Sequence, residues 1–452
     1  MHRGLFRFHF AALMAGSLIL ISACGGRGVL GLSEPDPEPV IRVRIVHSVP
    51  EITINPPAGS RLDLQSAEGV VVPLAEGEWI IRARDGVAEA RAVDGTKRIL
   101  AQRMRLIGTA ETEEILVRDV PVGVGWWWET RKDRTYEGLM EFSAKEDGTL
   151  DVVLELPVEE YLRGVVPAEI GATSPMEALK AQAVAARSET MTALSEGTYA
   201  GPGFDICADV DCQVFAGTGG RSEATDQAIR ETRGVILSYD GKPIPAYYAS
   251  NCGGHSEDVA NVWPSRERGI PTWRAYPDGP GGEGVDLTAE DAARAWVTGR
   301  PEAYCNGDTH PGIPQWAKNN FRWEVETSAE DLSLLVEKKS PIGRVLRIEA
   351  VERGPSGRLT RVRFVGEKGE HEVGPELAIR QVWQPPLKSS AFVVDPVGDT
   401  ARPDAFRIRG AGYGHGVGMC QTGAMARAME GQDYRQILSH YYREASIKAV
   451  YR

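Results

Sequence analysis

Short stretches of alternating apolar and polar residues mark the first third of the chain. Val40-Ile41-Arg42-Val43-Arg44-Ile45-Val46 and Trp79-Ile80-Ile81-Arg82-Ala83-Arg84 are two of them, and Gly59, Gly69, Gly77, Gly86 and Gly95 punctuate the region. A period of two between turn residues predicts strands with one buried face, so residues 41–125 are expected to form a β-rich domain. Residues 136–138 and 150–156 continue as strands. The texture changes at Pro157, which suits the first position of a short helix through Arg163. Ser174-Pro175-Met176-Glu177 predicts an N-cap, a proline at N1 and a capping glutamate. The helix they open runs to about Leu194, and its Ala178, Ala181, Ala183, Ala185 and Ala186 let another element pack close. Further helices are predicted at 222–232, 288–297, 328–337, 421–430 and 433–442, with strands at 234–238, 243–249, 344–352, 359–365 and 405–409. Residues 265–286, rich in Gly and Pro, read as a long loop. The expected class is α+β, a β-rich N-terminal domain followed by a mixed α/β domain over residues 130–448.

The chain has 452 residues, 42% hydrophobic and 25% charged, which fits packed globular structure. Its 63 acidic against 51 basic residues give a formal net charge of −12. Sequence-independent nucleic-acid binding needs a basic face, so no nucleic-acid partner is expected. The one stretch apolar enough to enter a membrane lies at residues 8–21, behind Arg3 and Arg7, which excludes a polytopic membrane protein. Leu20-Ile21-Ser22-Ala23-Cys24 closes that stretch. A short basic segment, an apolar core and small residues read as a secretory signal over residues 1–23. The cysteine directly after Ser22-Ala23 resembles a bacterial lipobox, which implies lipidation of Cys24 and a lipid-anchored, exported protein held at the cell envelope. Residues 24–40, with Pro35, Pro37 and Pro39, read as a tether.

Export permits disulfides among Cys207, Cys212, Cys252, Cys305 and Cys420. The count is odd, so at least one thiol stays free within the chain. Cys207–Cys212 and Cys252–Cys305 are the candidate pairs, with Cys420 left over. The alternative is zinc held by Cys252, His255, Cys305 and His310, a donor set with the right chemistry but loose spacing. Disulfides are favoured, and no cofactor is expected to be required.

Three features suggest chemistry. Glu169 sits among Val165, Val166, Pro167, Ala168, Ile170 and Gly171, in an expected loop ahead of the alanine-rich helix. A carboxyl in apolar surroundings is poorly hydrated when charged, so its pKa should rise, as a general acid near neutral pH requires. Arg187 lies on the following helix among alanines; it is expected to pair with a carboxylate such as Glu169 or to hold an anionic ligand group. The third feature is Gly410–Ala424, with five glycines at alternate positions that allow a strand or ligand to approach closely. Tyr413, His415 and Gln421 supply its polar side chains and are candidates for substrate binding. A Cys420–His415 nucleophile pair has no geometric support in that spacing. Trp126-Trp127-Trp128 is expected to be core or an interface plug, with a sugar-stacking platform as the alternative.

Taken together, four stretches resemble the stage II sporulation protein D (SpoIID)/LytB family: residues 160–169, residues 178–187, Cys212–Gly217 with Ala246–Gly254, and the glycine-rich segment through Gln421-Thr422-Gly423-Ala424 with His440-Tyr441-Tyr442. The resemblance spans about residues 130 to 448. It implies action on bacterial cell-wall glycan. Sporulation members are lytic transglycosylases that cut peptidoglycan strands lacking stem peptides, between N-acetylmuramic acid and N-acetylglucosamine. Their catalytic acid maps to Glu169, and the arginine of the Ala-Ala-Arg motif maps to Arg187. Other members enhance cell-wall amidases, which implies an amidase as an alternative partner to glycan. This chain departs from the family pattern at Cys420, where Ser is usual, and at Ala249-Ser250-Asn251-Cys252, where His-Ser-Thr-Ser is frequent.

Overall fold

The structure is a computed structural model and describes residues 37–63, 70–95, 97–108, 113–126, 128–266, 269–279 and 285–452. The residues read as a signal segment, Cys24 and Trp127 lie outside the described residues. Both α-helices and β-strands build it, as an α+β fold.

The alternating stretches form strands with one face inward. Val40–Val49 buries Ile41, Val43 and Ile45. It pairs antiparallel with Leu150–Pro157, from Val40 opposite Pro157 to Val49 opposite Leu150. They are adjacent strands of a seven-stranded sheet that continues through Leu139–Ala144 and Arg103–Ile107. A six-stranded sheet, including Ile115–Val122, Glu51–Asn55 and Trp79–Arg84, contributes to the same apolar core. The seven-stranded sheet therefore crosses the boundary expected near residues 125–130, and residues 36–452 cohere as one unit. The physical reason is Val40–Val49 itself. As the neighbour of Leu150–Pro157 it hydrogen-bonds with the strand that feeds the helical region, so the N-terminal strands cannot bury their faces separately from it.

Leu150–Pro157 runs directly into helix α1 (Val158–Ile170), which continues well past Arg163. Glu169 is thus in the last turn of a helix rather than in a loop. Helix α2 (Met176–Glu196) follows, and its Ala178, Ala181, Ala183, Ala185 and Ala186 are all fully buried. Ser174 does not cap it: its hydroxyl donates to the Ile170 carbonyl at 2.7 Å, and Pro175 is the N-cap residue. Glu177 is drawn away by a stronger demand. It accepts from Lys180 at 2.8 Å and from the backbone N–H of Tyr434 at 2.8 Å, at the positive end of the helix Tyr434–Tyr441. Capping boxes form elsewhere. Ser222 with Thr225 opens helix α3 (Glu223–Glu231), and Asp433 with Gln436 opens Tyr434–Tyr441.

A second apolar core is built from Leu332, Val336, Val345, Val362, Phe364, Trp383, Phe392, Phe406 and Ile408. Two three-stranded sheets surround it, one of Arg322–Ser328, Pro403–Ala411 and Phe392–Gly398, the other of Val345–Arg353, Leu359–Gly366 and Gly369–Val373. Its strand Pro403–Ala411 leads straight into the glycine-rich segment. No helix among the described residues is long and apolar enough to cross a membrane.

Candidate active site

Glu169 occupies a helical position that the apolar pattern reserves for the core. Tyr161, Leu162, Val165 and Val166 on the same side of α1 are fully buried. Glu169 extends that face past the end of the packed region, partly exposed at the floor of a cleft of about 820 Å³. The segment after the Cys207–Cys212 disulfide closes against this helix. Gly164 makes the approach possible: a Cβ there would meet the Phe215 ring at 2.5 Å, and the Gly164 carbonyl accepts from the Ala216 N–H at 3.1 Å. That contact sets the Val214 N–H 2.8 Å from Glu169 Oε1.

The other groups on Glu169 are neutral. Tyr248 and Gln421 lie beside its carboxyl and, like the Val214 N–H, favour its charged form. Burial outweighs all three and pushes the Glu169 pKa up to about 7. Its place at the C-terminal end of α1 adds the unfavourable end of the helix dipole. Tyr248 Oη also donates to Gln213 Oε1 at 2.9 Å, and Gln213 Nε2 donates to Thr190 Oγ1 at 3.0 Å. Tyr248 has one proton, so it cannot serve Gln213 and an ionised Glu169 together. A protonated Glu169 suits the arrangement.

Two short strands present these partners. Tyr248–Ala249 pairs in parallel with Met419–Cys420, Tyr248 opposite Met419 and Ala249 opposite Cys420. The glycine-rich segment thus approaches another strand. Gly418 has φ +71°, and a Cβ on it would lie 2.0 Å from the Tyr247 carbonyl. Gln421 begins the helix Gln421–Met429 at the cleft, where its Nε2 also donates to Gln182 Oε1 at 3.2 Å.

His415 lines the cleft, but both ring nitrogens are engaged. Nε2 donates to the Tyr248 carbonyl at 2.9 Å, and Nδ1 accepts from the Val417 N–H at 3.0 Å. Burial and the nearby Arg358 push its pKa down to about 3, so it stays neutral and holds the Tyr248 strand in place. It forms no dyad with Cys420, whose sulfur accepts from the Cys252 N–H at 3.2 Å. Tyr413 lines the cleft and is fixed by its backbone to Asn251.

Arg187 holds a carboxylate, but it is Glu159 and not Glu169. It is fully buried and gives a two-pronged bond to Glu159, Nε to Oε1 and Nη2 to Oε2, both 2.8 Å. Its Nη1 donates to the Val235 carbonyl at 3.0 Å. The alanines that flank it let the chain close over the guanidinium, and a buried guanidinium takes the carboxylate nearest its own level of the bundle. That carboxylate is at the start of α1, whereas Glu169 is at its end. Arg187 is a structural residue and does not line the cleft.

The cysteine expectations divide. Cys207–Cys212 is a disulfide. Cys252 and Cys305 are not bonded; their sulfurs are 3.6 Å apart, with Cys420 beside them. His255 and His310 are not part of this group. His255 binds the Ser256 carbonyl at 2.7 Å, and His310 stacks on Tyr304. Trp126 lines the cleft and Trp128 is 37% exposed, so neither is core.

Several cleft residues carried no local signal. Tyr248 and Gln213 lay in recognisable stretches, yet nothing in their spacing says which side chain turns to Glu169. Arg266, in the stretch read as a long loop, stacks over Trp263 at 5.0 Å and donates to Tyr199 Oη at 3.3 Å. It gives the cleft a cation. Glu189, also lining it, accepts from Tyr199 Oη at 2.8 Å.

The chain belongs to the SpoIID family. Residues 146–239 match the family described as stage II sporulation protein, and residues 306–418 match a domain of unknown function, DUF8618, which coincides with the second core. An uncharacterized protein of Brachyspira hyodysenteriae is 31% identical over 69% of this chain and 72% of its own length. The stage II sporulation protein D of Bacillus subtilis is 26% identical over 65% of this chain and 75% of its own. The amidase enhancer of the same organism is 27% identical over 62% of this chain, which covers only 39% of that relative.

Proposed function

We propose that the protein acts on the bacterial cell wall as a lytic transglycosylase, with Glu169 as general acid and then general base. The observation that carries this reading is a cleft-floor carboxyl with neutral partners and a pKa near 7. Protonated Glu169 donates to the glycosidic oxygen between N-acetylmuramic acid and N-acetylglucosamine. The bond from C1 to that oxygen breaks, leaving an oxocarbenium-like sugar. The C6 hydroxyl of the same muramic acid attacks C1, and the Glu169 carboxylate takes its proton. The products are a 1,6-anhydro sugar and a free hydroxyl, with no water consumed and the acid regenerated. One carboxyl suffices, whereas a hydrolase needs a second at a set distance. Gln421, Tyr248 and the Val214 N–H hold Glu169 in place, and Tyr413 lies beside the substrate. Arg266 supplies a cation for the lactyl carboxylate. The site needs no metal at the reacting bond.

Incubation of the protein with peptide-free glycan strands should yield anhydro-muramyl ends by mass spectrometry, and Glu169→Gln should not. Equal product from both proteins would overturn the reading.

A second reading is favoured by the similarity to an amidase enhancer. In it the protein binds glycan and activates a cell-wall amidase without turnover. Stimulation of an amidase that is identical for wild type and Glu169→Gln, with no anhydro product from either, would select it. Either role is that of an exported envelope protein anchored through Cys24. The Cys207–Cys212 disulfide supports an oxidising compartment.

A further inference from the structure

Behind the Tyr248 and Met419 strands, four side chains from distant parts of the sequence converge. Cys252, Asp278, Cys305 and Cys420 are all buried, and one donor atom from each lies within 4.8 Å of the other three. The spacing fits a tetrahedron around a metal. Zinc–sulfur bonds of about 2.3 Å require sulfur–sulfur edges of about 3.8 Å, and zinc–oxygen bonds of about 2.0 Å require sulfur–oxygen edges of about 3.5 Å. Cys252 Sγ lies 3.6 Å from Cys305 Sγ and 3.6 Å from Asp278 Oδ2.

The surroundings are built for negative sulfur. Cys420 Sγ accepts two backbone N–H groups, from Cys252 at 3.2 Å and from Gly423 at 3.4 Å. Asp278 is oriented from outside the group, as hydrogen-bond partners behind metal ligands orient them. Its Oδ1 accepts from Arg427 at 2.8 Å and lies 3.1 Å from His440 Nε2, while Oδ2 accepts from Tyr441 Oη at 2.9 Å. Arg322, whose guanidinium sits on the Gly253 carbonyl at 3.1 Å, is a second, half-buried cation close to the thiols. Three thiolates and a carboxylate around a divalent ion, flanked by two guanidinium groups, are electrically balanced.

The geometry points to a closed structural zinc site with Cys252, Asp278, Cys305 and Cys420 as its four ligands. All four positions are taken by protein, so the ion is a staple and not a Lewis acid for substrate. It ties the turn after Tyr248–Ala249, the loop at Asp278, the approach to the second core and the start of the helix Gln421–Met429. Loading releases the thiol protons to solvent. The inference stands apart from the chemistry at Glu169.

The test is the metal content of the purified full chain, by plasma mass spectrometry, and the absorption spectrum after replacement with cobalt. One zinc per chain and the ligand-field bands of a tetrahedral thiolate site are expected. Cys305→Ser should lower zinc affinity at least a hundredfold and Asp278→Asn about tenfold, while His310→Ala should leave it unchanged. The wild-type measurements need no variant to fold. A chain without stoichiometric metal after equilibration with zinc, or peptide mapping that finds a Cys252–Cys305 disulfide, would overturn the site.

Discussion

The two ends of helix α1 carry glutamates in opposite states. Glu159, in the first turn, faces Arg187, Tyr451 Oη at 2.7 Å and the Gly234 N–H at 3.2 Å. Burial opposes its charge, but Arg187 and these hydrogen bonds outweigh it and hold the carboxyl below its usual pKa. Glu169, in the last turn, has a backbone N–H, a tyrosine and a glutamine, and its pKa rises to about 7. The helix dipole adds to the difference, favouring a negative charge at the first end and opposing it at the second. Burial is common to both. What separates a structural carboxylate from a usable acid is the presence of a counter-charge, and Arg187 supplies it at one end only.

The contrast is broken most severely by Glu169→Gln. It should reduce anhydro-product formation by about 10²- to 10⁴-fold, the range for a general acid and base. The thermal midpoint should hold or rise, because the amide carries no charge to desolvate. At the other end of the helix, Arg187→Ala should lower the unfolding free energy by about 3–5 kcal/mol in denaturant titrations, since it leaves Glu159 buried and unpaired. Activity per folded molecule should persist. Reversal of these two outcomes would invert the roles assigned here.

Smaller effects sharpen the picture. Cys207→Ser opens a short loop and should cost about 2 kcal/mol by the loop-closure relation. It should also lower the rate less than tenfold, because the segment that carries the Val214 N–H loosens. The smallest effect is in pH dependence. Glu169 has a raised folded pKa, so its stabilising contribution is fully present below the unfolded value near 4.5 and is lost as pH rises through about 7. Wild type should lose stability relative to Glu169→Gln across that window, as read by denaturant midpoints at several pH values. Its rate as an acid should fall above the same pH.

Much of this was legible from the chain. The alternation in residues 40–46 and 79–84 became strands, and the apolar neighbours of Glu169 foretold a poorly hydrated carboxyl. Local pattern failed where a distant partner decided the outcome. Ser174 and Glu177 have the spacing of a capping box, but Glu177 is taken by the Tyr434 helix. Arg187 carries the family motif, yet its partner is Glu159, ten residues before Glu169 at the other end of α1. The separation near residue 125 disappeared because Val40–Val49 pairs with Leu150–Pro157. Tyr248, Arg266 and the grouping of Cys420 with Cys252 and Cys305 depend on long-range closure, which spacing along the chain does not encode.

The most direct measurement is a carbon NMR titration of the glutamate carboxyl groups, with Glu169 assigned as the resonance missing from Glu169→Gln. Its midpoint should lie near pH 7. A midpoint in the ordinary glutamate range, near pH 4, would contradict the account at its centre.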